Sequence, residues 1–190
     1  SKPANENKNS FPLLFFRQGE FVQVNIIVSP PVTLERSLFV SIKIDGMVRV
    51  AAATPHVKVA DCPYNKNEMA KMIREAAANG ASVIAFPELA MTGYTCGDLF
   101  KDRKLMESAK ACLFDLIEET EDLDILCAVG MPIPSGGALY NCAAVFSRGV
   151  LLGLPAKQHI PNYSEFYELR HFSPAPESGM LRYAGDWYGW

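Results

Sequence analysis

The sequence lacks a CxxC pair and any cluster of cysteine with histidine, which excludes the usual forms of a structural zinc site. Its cysteines number five, an odd count, and they are scattered, so a disulfide scaffold is not predicted either. They are Cys62, Cys96, Cys112, Cys127 and Cys142. Three of them lie in apolar runs, where a free thiol behaves as a small core residue. This use of cysteine predicts a protein of the reducing cytoplasm.

Two further absences bear on partners. The chain has no run of lysines and arginines, and its formal net charge of −3 gives no general attraction to nucleic acid or to an anionic membrane. It also has no long uninterrupted apolar run. The apolar stretch over residues 11–28 is broken by Arg17, Gln18, Glu20, Gln23 and Asn25. It therefore fails as a transmembrane helix and as the core of a secretory signal. We expect no nucleic acid and no membrane among the partners.

The composition is that of an ordinary soluble globular protein, with 49% hydrophobic and 21% charged residues in a chain of 190. This length has room for one substantial domain or for part of a larger one. Residues 1–46 contain no recognisable chemical constellation, although residues 21–28 and 38–44 are predicted strands. A more regular pattern begins at Met47. We predict an N-terminal extension of unknown role over residues 1–46 and the main domain over residues 47–190.

From Met47 onward, strand and helix patterns alternate. The first helix is predicted to begin near Asn65, because Glu68 follows in the spacing of a capping box, and to end at Gly80. Apolar residues at helical spacing are Met69, Met72, Ile73, Ala76 and Ala77 in the first helix and Leu105, Ala109, Cys112, Leu113, Leu116 and Ile117 in the second. Strands are predicted over residues 48–54, 82–86, 125–130, 143–146 and 150–154, with a hairpin turn at 147–149. The pattern predicts an α/β fold in which helices cover a mixed sheet.

An acidic residue, Glu88, stands directly after the strand predicted over residues 82–86. Pro87 ends that strand because proline cannot donate to a sheet ladder, and Gly93 and Tyr94 follow shortly after. In a sheet covered by helices, ligands gather at the carboxyl ends of strands. Glu88 is therefore a candidate functional residue, although a glutamate at this place can also simply cap a loop or a helix.

A second polar stretch follows the predicted hairpin. Its groups that can orient a polar substrate are Lys157, Tyr163, Glu165, Tyr167, Glu168 and Arg170. One interpretation is a surface loop whose charges pair with one another. The other is that Lys157, which directly follows a strand-like run, places an ammonium beside the carboxylate of Glu88. Two opposite charges at strand ends would form an acid/base pair.

These two stretches resemble the nitrilase, or carbon–nitrogen hydrolase, superfamily, most closely the N-terminal glutaminase domain of glutamine-dependent NAD synthetases. The run Phe-Pro-Glu88-Leu with Gly93-Tyr94 is similar to the motif that carries the family's general base. Lys157, followed by Pro161-Asn-Tyr-Ser-Glu-Phe-Tyr-Glu168 and Arg170, is similar to the lysine motif of the synthetase branch. The Tyr140–Asn141 pair and the Arg148–Gly149 turn also fit, and the resemblance covers residues 47–176.

The resemblance implies an α-β-β-α sandwich, incomplete at its C-terminus here, and a Glu–Lys–Cys triad. Glu88 would take the proton of the thiol nucleophile and later activate water. Lys157 would stabilise the charge of the tetrahedral intermediate, and Glu168 would position the lysine and the surroundings of the nucleophile. The remaining implied site residues are Tyr94, Tyr163 and Phe166, which would line the glutamine pocket, and Glu165, a second candidate for the role of Glu168.

The implied reaction is hydrolysis of the side-chain amide of glutamine through a thioester, with release of ammonia and without a cofactor. In the family, a C-terminal synthetase domain uses that ammonia with ATP and an NAD precursor, and this domain is absent from the chain. The resemblance also implies assembly into a homo-oligomer. It implies no metal.

The chain departs from the family at the nucleophile. That cysteine should lie downstream of Lys157, whereas no cysteine follows Cys142. Cys96, in the Glu88 loop, is the best substitute, but nothing in the sequence gives it the base and positive charge that a reactive thiolate needs. Exposed aromatic residues are expected in the tail at Trp187, Tyr188 and Trp190, unless the tail packs back on the domain. We therefore expect a truncated, inactive glutaminase domain whose unpaired sheet edges promote aggregation.

Two alternatives remain open. The chain could belong to a stand-alone nitrilase-type amidase for another small amide, although the run from Tyr163 to Arg170 is unusual for simpler amidases. It could instead be a non-catalytic scaffold that kept the fold and lost the nucleophile.

Overall fold

The computed structural model describes residues 48–164 and 166–189 in full and the backbone of residues 10–17 and 20–27. The chain divides into two units, Ser1–Ile42 and Lys43–Trp190. In the first unit, β1 (Ser10–Arg17) pairs with β2 (Glu20–Ile27) in an antiparallel hairpin. The strand predicted over residues 21–28 is thus confirmed as β2, β1 was not predicted, and the segment 38–44 lies outside the described residues. The role of residues 1–46 stays a prediction.

The second unit contains a five-stranded mixed sheet. Its strands, in their order across the sheet, are β3 (Val50–Ala52), β4 (Val83–Ala85), β5 (Leu126–Ser135), β6 (Ala138–Ser147) and β7 (Val150–Gly153). The first three run parallel, and β5 to β7 run antiparallel. Parallel neighbours need long crossovers, which the helices α1 (Cys62–Ala78) and α2 (Arg103–Glu119) supply. The predicted α/β class is therefore confirmed.

Both antiparallel connections are tight turns with two residues in the left-handed region. Between β6 and β7 these are Arg148 and Gly149, with φ of 48° and 76°, as a type I′ turn requires. Gly136 and Gly137 make the equivalent turn between β5 and β6. The predicted hairpin turn at residues 147–149 is confirmed. β5 and β6 are longer than predicted, because they pair with each other along nearly their whole length, from Cys127 and Phe146 to Ser135 and Ala138.

Helix α1 begins earlier than predicted. Its N-cap is Asp61, whose side chain accepts a hydrogen bond from the Tyr64 amide at 3.1 Å. The capping box predicted at Asn65 and Glu68 is wrong, because Asn65 lies inside the first turns and its side chain binds other segments. The end at Gly80 is confirmed: this residue has a φ of 77° and its amide donates to the carbonyl of Ala77 at 2.9 Å.

Asn65 links two loops to the buried side of α1. Its side-chain carbonyl accepts from the Lys58 amide at 2.8 Å, and its Nδ2 donates to the carbonyls of Lys58 at 2.8 Å and Met91 at 3.0 Å. Asn65 is completely buried, so these hydrogen bonds replace all of its contacts with water. The residue therefore fixes the loop that contains Met91, which is also the loop of Glu88.

The core lies between the two helices and one face of the sheet. By register, Ile84 of β4, Cys127 of β5 and Phe146 of β6 lie on one row across that face, and all three are buried. All six apolar positions predicted for α2 are buried, and Met69 and Ile73 are the buried positions of the predicted α1 set. On the other face, residues 85, 128 and 143 are alanines that remain partly or fully exposed.

The tail packs back on the same unit. It forms a hairpin of β8 (Met180–Tyr183) and β9 (Asp186–Gly189), in which Leu181 and Tyr183 are buried. Trp187 remains 62% exposed and Tyr188 packs partly against the core. Of the two alternatives for the tail, the structure therefore shows the one in which the tail packs on its own domain, although the Trp187 indole stays exposed. Trp190 lies outside the described residues.

Two expectations from the sequence concern a second large sheet and a membrane-spanning helix. Apart from the five-stranded sheet, the sheets there have two strands each, so the second large sheet of an α-β-β-α sandwich is not among these residues. None of the described helices has both the length and the apolar character needed to cross a lipid bilayer.

The contacts of Asn65 generate a test of the fold. Replacing Asn65 with leucine removes one buried and two partly buried hydrogen bonds at similar volume. We expect the free energy of unfolding to fall by about 2–3 kcal/mol, since the backbone groups left unpaired stay shielded from water. Asn79→Leu is the matched control, because its side chain makes one exposed hydrogen bond, to the Glu75 carbonyl. Urea titration of both variants measures the difference. Equal effects would contradict a linking role for Asn65.

Candidate active site

Glu88 lies in a loop that is bound tightly to the neighbouring strand β5. The amide of Phe86 donates to the Ala128 carbonyl at 2.9 Å, and the amide of Met91 donates to the Gly130 carbonyl at 3.1 Å. Between these points Leu89 is fully buried and has a φ of 52°, a left-handed conformation that costs a residue with a side chain roughly 1–2 kcal/mol. The loop therefore holds Glu88 in a fixed, strained turn at the end of β4.

Gly130 allows this loop to approach β5. A Cβ atom on Gly130 would lie 2.3 Å from the Pro87 carbonyl oxygen, 2.5 Å from the Leu89 nitrogen and 2.8 Å from the Glu88 Cα. All three neighbours are backbone atoms, which cannot rotate away as a side chain would. Sequence reasoning missed this residue, although a glycine inside a strand pattern can mark a close backbone approach.

Lys157 follows β7 and reaches the Glu88 carboxylate. Its amide donates to the Asn141 carbonyl at 2.8 Å, which continues the pairing with β6. Its Nζ lies 2.7 Å from Oε1 of Glu88, in an ion pair between residues 69 positions apart. The two side chains are 30% and 38% exposed, so the pair lies at the surface of a cleft. The structure thus brings together the carboxylate and the ammonium of the two predicted stretches.

Glu168 completes the charged cluster. It begins a short 3-10 helix, Glu168–Arg170, and is 5% exposed. Lys157 Nζ lies 2.9 Å from its Oε2 and 3.1 Å from its Oε1, and the Tyr94 hydroxyl donates to Oε1 at 2.9 Å. A buried carboxylate needs such partners, because an unpaired charge in the interior is strongly unfavourable.

Asn141 is a site residue for which no role was predicted. It lies in the middle of β6, it is buried, and its Nδ2 donates to Oε1 of Glu88 and, at 3.5 Å, to Oε2 of Glu168. The sequence signal for Asn141 was a polar residue inside an apolar strand. Its role could not be inferred without knowing which face of β6 it occupies and which loops reach that face.

The cluster has one cation and two anions. Burial would lower the pKa of the Lys157 ammonium, but hydrogen bonds and charge from Glu88 and Glu168 outweigh it and raise the pKa above its usual value. Lys157 is therefore a protonated cation at neutral pH, which suits it to stabilise a developing negative charge rather than to act as a base.

An open cleft of about 350 Å³ borders the cluster. Its walls are Phe86, Glu88, Ala128, Gly130, Asn141, Cys142, Ala143, Pro155, Ala156 and Lys157. Most of these side chains are small, so the floor of the cleft is the sheet itself. The charged groups of Glu88 and Lys157 provide its polar end.

The residues predicted to bind glutamine do not form one group around the cleft. Tyr94 contacts Glu168, as described above. Tyr163 is 68% exposed and its ring packs edge-on against Phe166, with centroids 5.5 Å apart. Neither ring is among the walls of the cleft. Glu165 lies outside the described residues. The substrate contacts of these four residues stay predictions.

All five cysteines are buried. Burial raises the pKa of every one of these thiols, to about 11 for Cys62 and about 12 for Cys127 and Cys142. Cys96 lies in the Glu88 loop, but its Sγ donates to the backbone carbonyls of Thr92 and Gly93 at 3.1 and 3.3 Å. These are the surroundings of packing residues, not of an activated nucleophile.

Among the described residues, no group of three or more histidine, cysteine, aspartate or glutamate side chains is placed so that it could hold a metal ion.

The close approach at Gly130 can be tested by adding one methyl group. We expect Gly130→Ala to displace the Glu88 loop, to destabilise the fold by about 1–3 kcal/mol, and to lower the pKa of Lys157 because its contact with Glu88 is lengthened. Gly153→Ala is the control, since a Cβ there meets its nearest neighbour at 3.4 Å. NMR titration of the Lys157 side chain measures the effect. An unchanged pKa in a folded Gly130→Ala variant would contradict this account of the loop.

The burial of the thiols predicts their reactivity. Iodoacetamide at mildly alkaline pH should modify none of the five cysteines at the rate of an exposed thiol, because each is buried and protonated. After unfolding in urea all five should react rapidly, which serves as the internal control, and mass spectrometry of peptides identifies the sites. Fast labelling of Cys96 in the folded chain would show that it is an activated nucleophile after all.

The chain is similar in sequence to one protein family and to several proteins. A sequence profile of the carbon–nitrogen hydrolase family matches residues 49–186. The glutamine-dependent NAD(+) synthetase of Mycobacterium tuberculosis is 37% identical over 141 residues, which are 74% of this chain and 21% of that protein. The synthetase of Aquifex aeolicus is 34% identical over 139 residues, 73% of this chain and 24% of that protein. The chain thus spans about a fifth to a quarter of the length of these relatives.

Solved structures show the same relationship. The crystal structure of a glutamine-dependent NAD(+) synthetase from Cytophaga hutchinsonii has a TM-score of 0.70 at 28% identity, covering 75% of this chain and 24% of that one. An amidase of the nitrilase superfamily from Nesterenkonia has a TM-score of 0.58 at 19% identity, covering 74% and 53%. The second likeness concerns the fold alone and confirms the predicted nitrilase type. With a profile match over most of its length, the chain belongs to the carbon–nitrogen hydrolase family.

Proposed function

We propose that this chain is the base-bearing and lysine-bearing portion of the glutaminase of a glutamine-dependent NAD synthetase. The observation that carries the proposal is the ion pair between Lys157 and Glu88 at 2.7 Å, at the edge of an open cleft. The similar proteins named above supply the substrate class, since their names specify glutamine as the source of nitrogen. In this proposal the ammonia released from glutamine serves an NAD-forming reaction elsewhere in the complete enzyme.

The reaction begins with proton transfer from a thiol to Glu88. The thiolate attacks the side-chain amide carbon of glutamine, and the carbonyl oxygen acquires the negative charge of a tetrahedral intermediate, which the Lys157 ammonium stabilises. Glu88 returns the proton to the leaving nitrogen, so that ammonia departs and a thioester remains. Glu88 then takes a proton from water, whose attack on the thioester releases glutamate and restores the thiol.

The nucleophile in this scheme is a thiol from outside the 190-residue sequence. Each of the five cysteines present is buried with a raised pKa, so none of them suits the first step. We accordingly expect the chain alone to be inactive. The hydrolysis needs no cofactor, and ATP and an NAD precursor belong to the synthetase reaction. Cytoplasmic location and homo-oligomeric assembly stay predictions.

A chimera tests the proposal directly. Residues 48–189 would replace the matching segment of the Cytophaga hutchinsonii synthetase, which supplies the missing parts of the enzyme. We expect this chimera to form NAD from glutamine, and we expect Glu88→Gln in the chimera to lower that rate about 100-fold or more, because the base is lost. With ammonia supplied directly, the Glu88→Gln chimera should match its parent, since only ammonia release is impaired.

Glu107→Gln is the matched control. It makes the same chemical change on an exposed part of α2, where Glu107 pairs with Arg103 at 3.6 Å, and should leave both rates unchanged. The purified 190-residue chain should release no ammonia from glutamine. A chimera that forms NAD from ammonia but never from glutamine would refute the proposal. Release of ammonia from glutamine by the isolated chain would refute the assignment of the nucleophile to a thiol outside this sequence.

A further inference from the structure

We infer that Asn141 is a positioning residue that reserves one oxygen of Glu88 for proton transfer, an inference that rests on the proposed function because it takes Glu88 to be the base. The amide of Asn141 would hold Oε1 of Glu88, together with Lys157, and leave Oε2 as the oxygen that accepts the thiol proton.

The first support is the position of Asn141 in the fold. Asparagine is disfavoured in strands, yet Asn141 lies in the middle of β6, paired with Pro132 of β5, and is only 4% exposed. Burying an amide without partners costs about 1–3 kcal/mol. The side-chain amide of Asn141 must therefore form hydrogen bonds with nearby protein groups, and the identity of those groups indicates its role.

Those partners are the two carboxylates of the site. The Nδ2 of Asn141 donates to Oε1 of Glu88 and, at 3.5 Å, to Oε2 of Glu168, while its backbone carbonyl accepts from the Lys157 amide at 2.8 Å. A purely structural amide would bind the backbone of a neighbouring segment, as Asn65 does. Asn141 instead contacts each of the three charged residues.

An uncharged donor suits this position chemically. Two carboxylates that share one ammonium repel each other, and like charges favour protonation of one of them. The Lys157 ammonium donates to both, and the amide of Asn141 adds donors without adding charge. Donors to the ionised form keep a carboxylate ionised, and Glu88 must be ionised before it can accept a proton.

The arrangement also distinguishes the two oxygens of Glu88. Both the Asn141 amide and the Lys157 ammonium bind Oε1, and Oε2 accepts no hydrogen bond from any residue in the described part of the chain. Oε1 is thus engaged by two donors before any substrate arrives. Oε2 keeps its lone pairs, so it is the oxygen to which a proton can be transferred.

The test uses the 190-residue chain and does not depend on catalysis. Carboxyl carbon signals of isotopically labelled glutamate report the hydrogen bonding of Glu88 by NMR. In Asn141→Leu, which removes the amide donors at similar volume, we expect the Glu88 carboxyl signal at neutral pH to shift, because one of the two donors to its Oε1 is lost. Thr120→Val is the control: it removes a buried hydroxyl that donates to the Leu116 carbonyl at 2.8 Å at the C-terminal end of α2, and it should leave the Glu88 signal unchanged.

A second measurement needs no change at Asn141. The side-chain NH2 signals of Asn141 should shift in Glu88→Gln, because a charged acceptor is replaced by a neutral one, and should stay unchanged in the exposed Glu107→Gln. The inference is overturned if these signals are the same in Glu88→Gln as in the parent. It is equally overturned if the Glu88 carboxyl signal is the same in folded Asn141→Leu as in the parent, or moves as much in Thr120→Val.

The chimera adds a kinetic readout. Asn141→Leu there should lower kcat for glutamine about tenfold with little change in KM, because the base is no longer held in the orientation that proton transfer needs. A rise in KM with an unchanged kcat would contradict the inference. The NMR results stand even if no chimera uses glutamine, so failure of the proposed function and failure of this inference are distinguishable.

Discussion

One ammonium group between two carboxylates is the interaction on which the site depends. Lys157 lies 2.7 Å from Glu88 and 2.9 Å from Glu168. Glu88 follows β4, whereas Lys157 and Glu168 both lie in the segment after β7. Without the cation, two carboxylates would face each other beside a largely apolar sheet, an arrangement that favours protonation of one of them or separation of the loops. The electrostatics therefore hold the loops in place and keep the Glu88 carboxylate beside a fixed positive charge.

That interaction forms only because the backbone brings the loops close enough. Gly130 leaves the space in which the Glu88 turn sits on β5, Leu89 adopts a left-handed conformation to complete the turn, and Asn65 fastens the far end of the loop to α1. Each of these residues is buried or inside a regular element. The strain in the turn persists because the surrounding hydrogen bonds outweigh it, a common condition at functional sites. The position of the charge is thus determined by packing several residues away from it.

The sequence predicted the two charged stretches but not the residues that support them. Glu88 and Lys157 were recognisable because each directly follows a strand, and strand ends of an α/β sheet converge. The contributions of Gly130 and Asn141 depend on which backbone passes over which face of β5 and β6, a relation between distant segments that has no local pattern. The capping box failed for a similar reason: Asp61 caps α1, while Asn65 serves tertiary contacts that local spacing does not show.

Burial separates the groups of this chain that can take part in chemistry from those that cannot. The five thiols fill the core, where desolvation raises each pKa and removes the thiolate form. Glu88 and Lys157 remain accessible at the cleft, and Asn141 satisfies Oε1 of the carboxylate without neutralising it. Oε1 of Glu88 is therefore engaged by two donors, while Oε2 accepts no hydrogen bond from the described residues. This difference between the two oxygens of one carboxylate arises from contacts among β6, the Glu88 loop and Lys157, and it is the geometric basis of the role proposed above for Glu88.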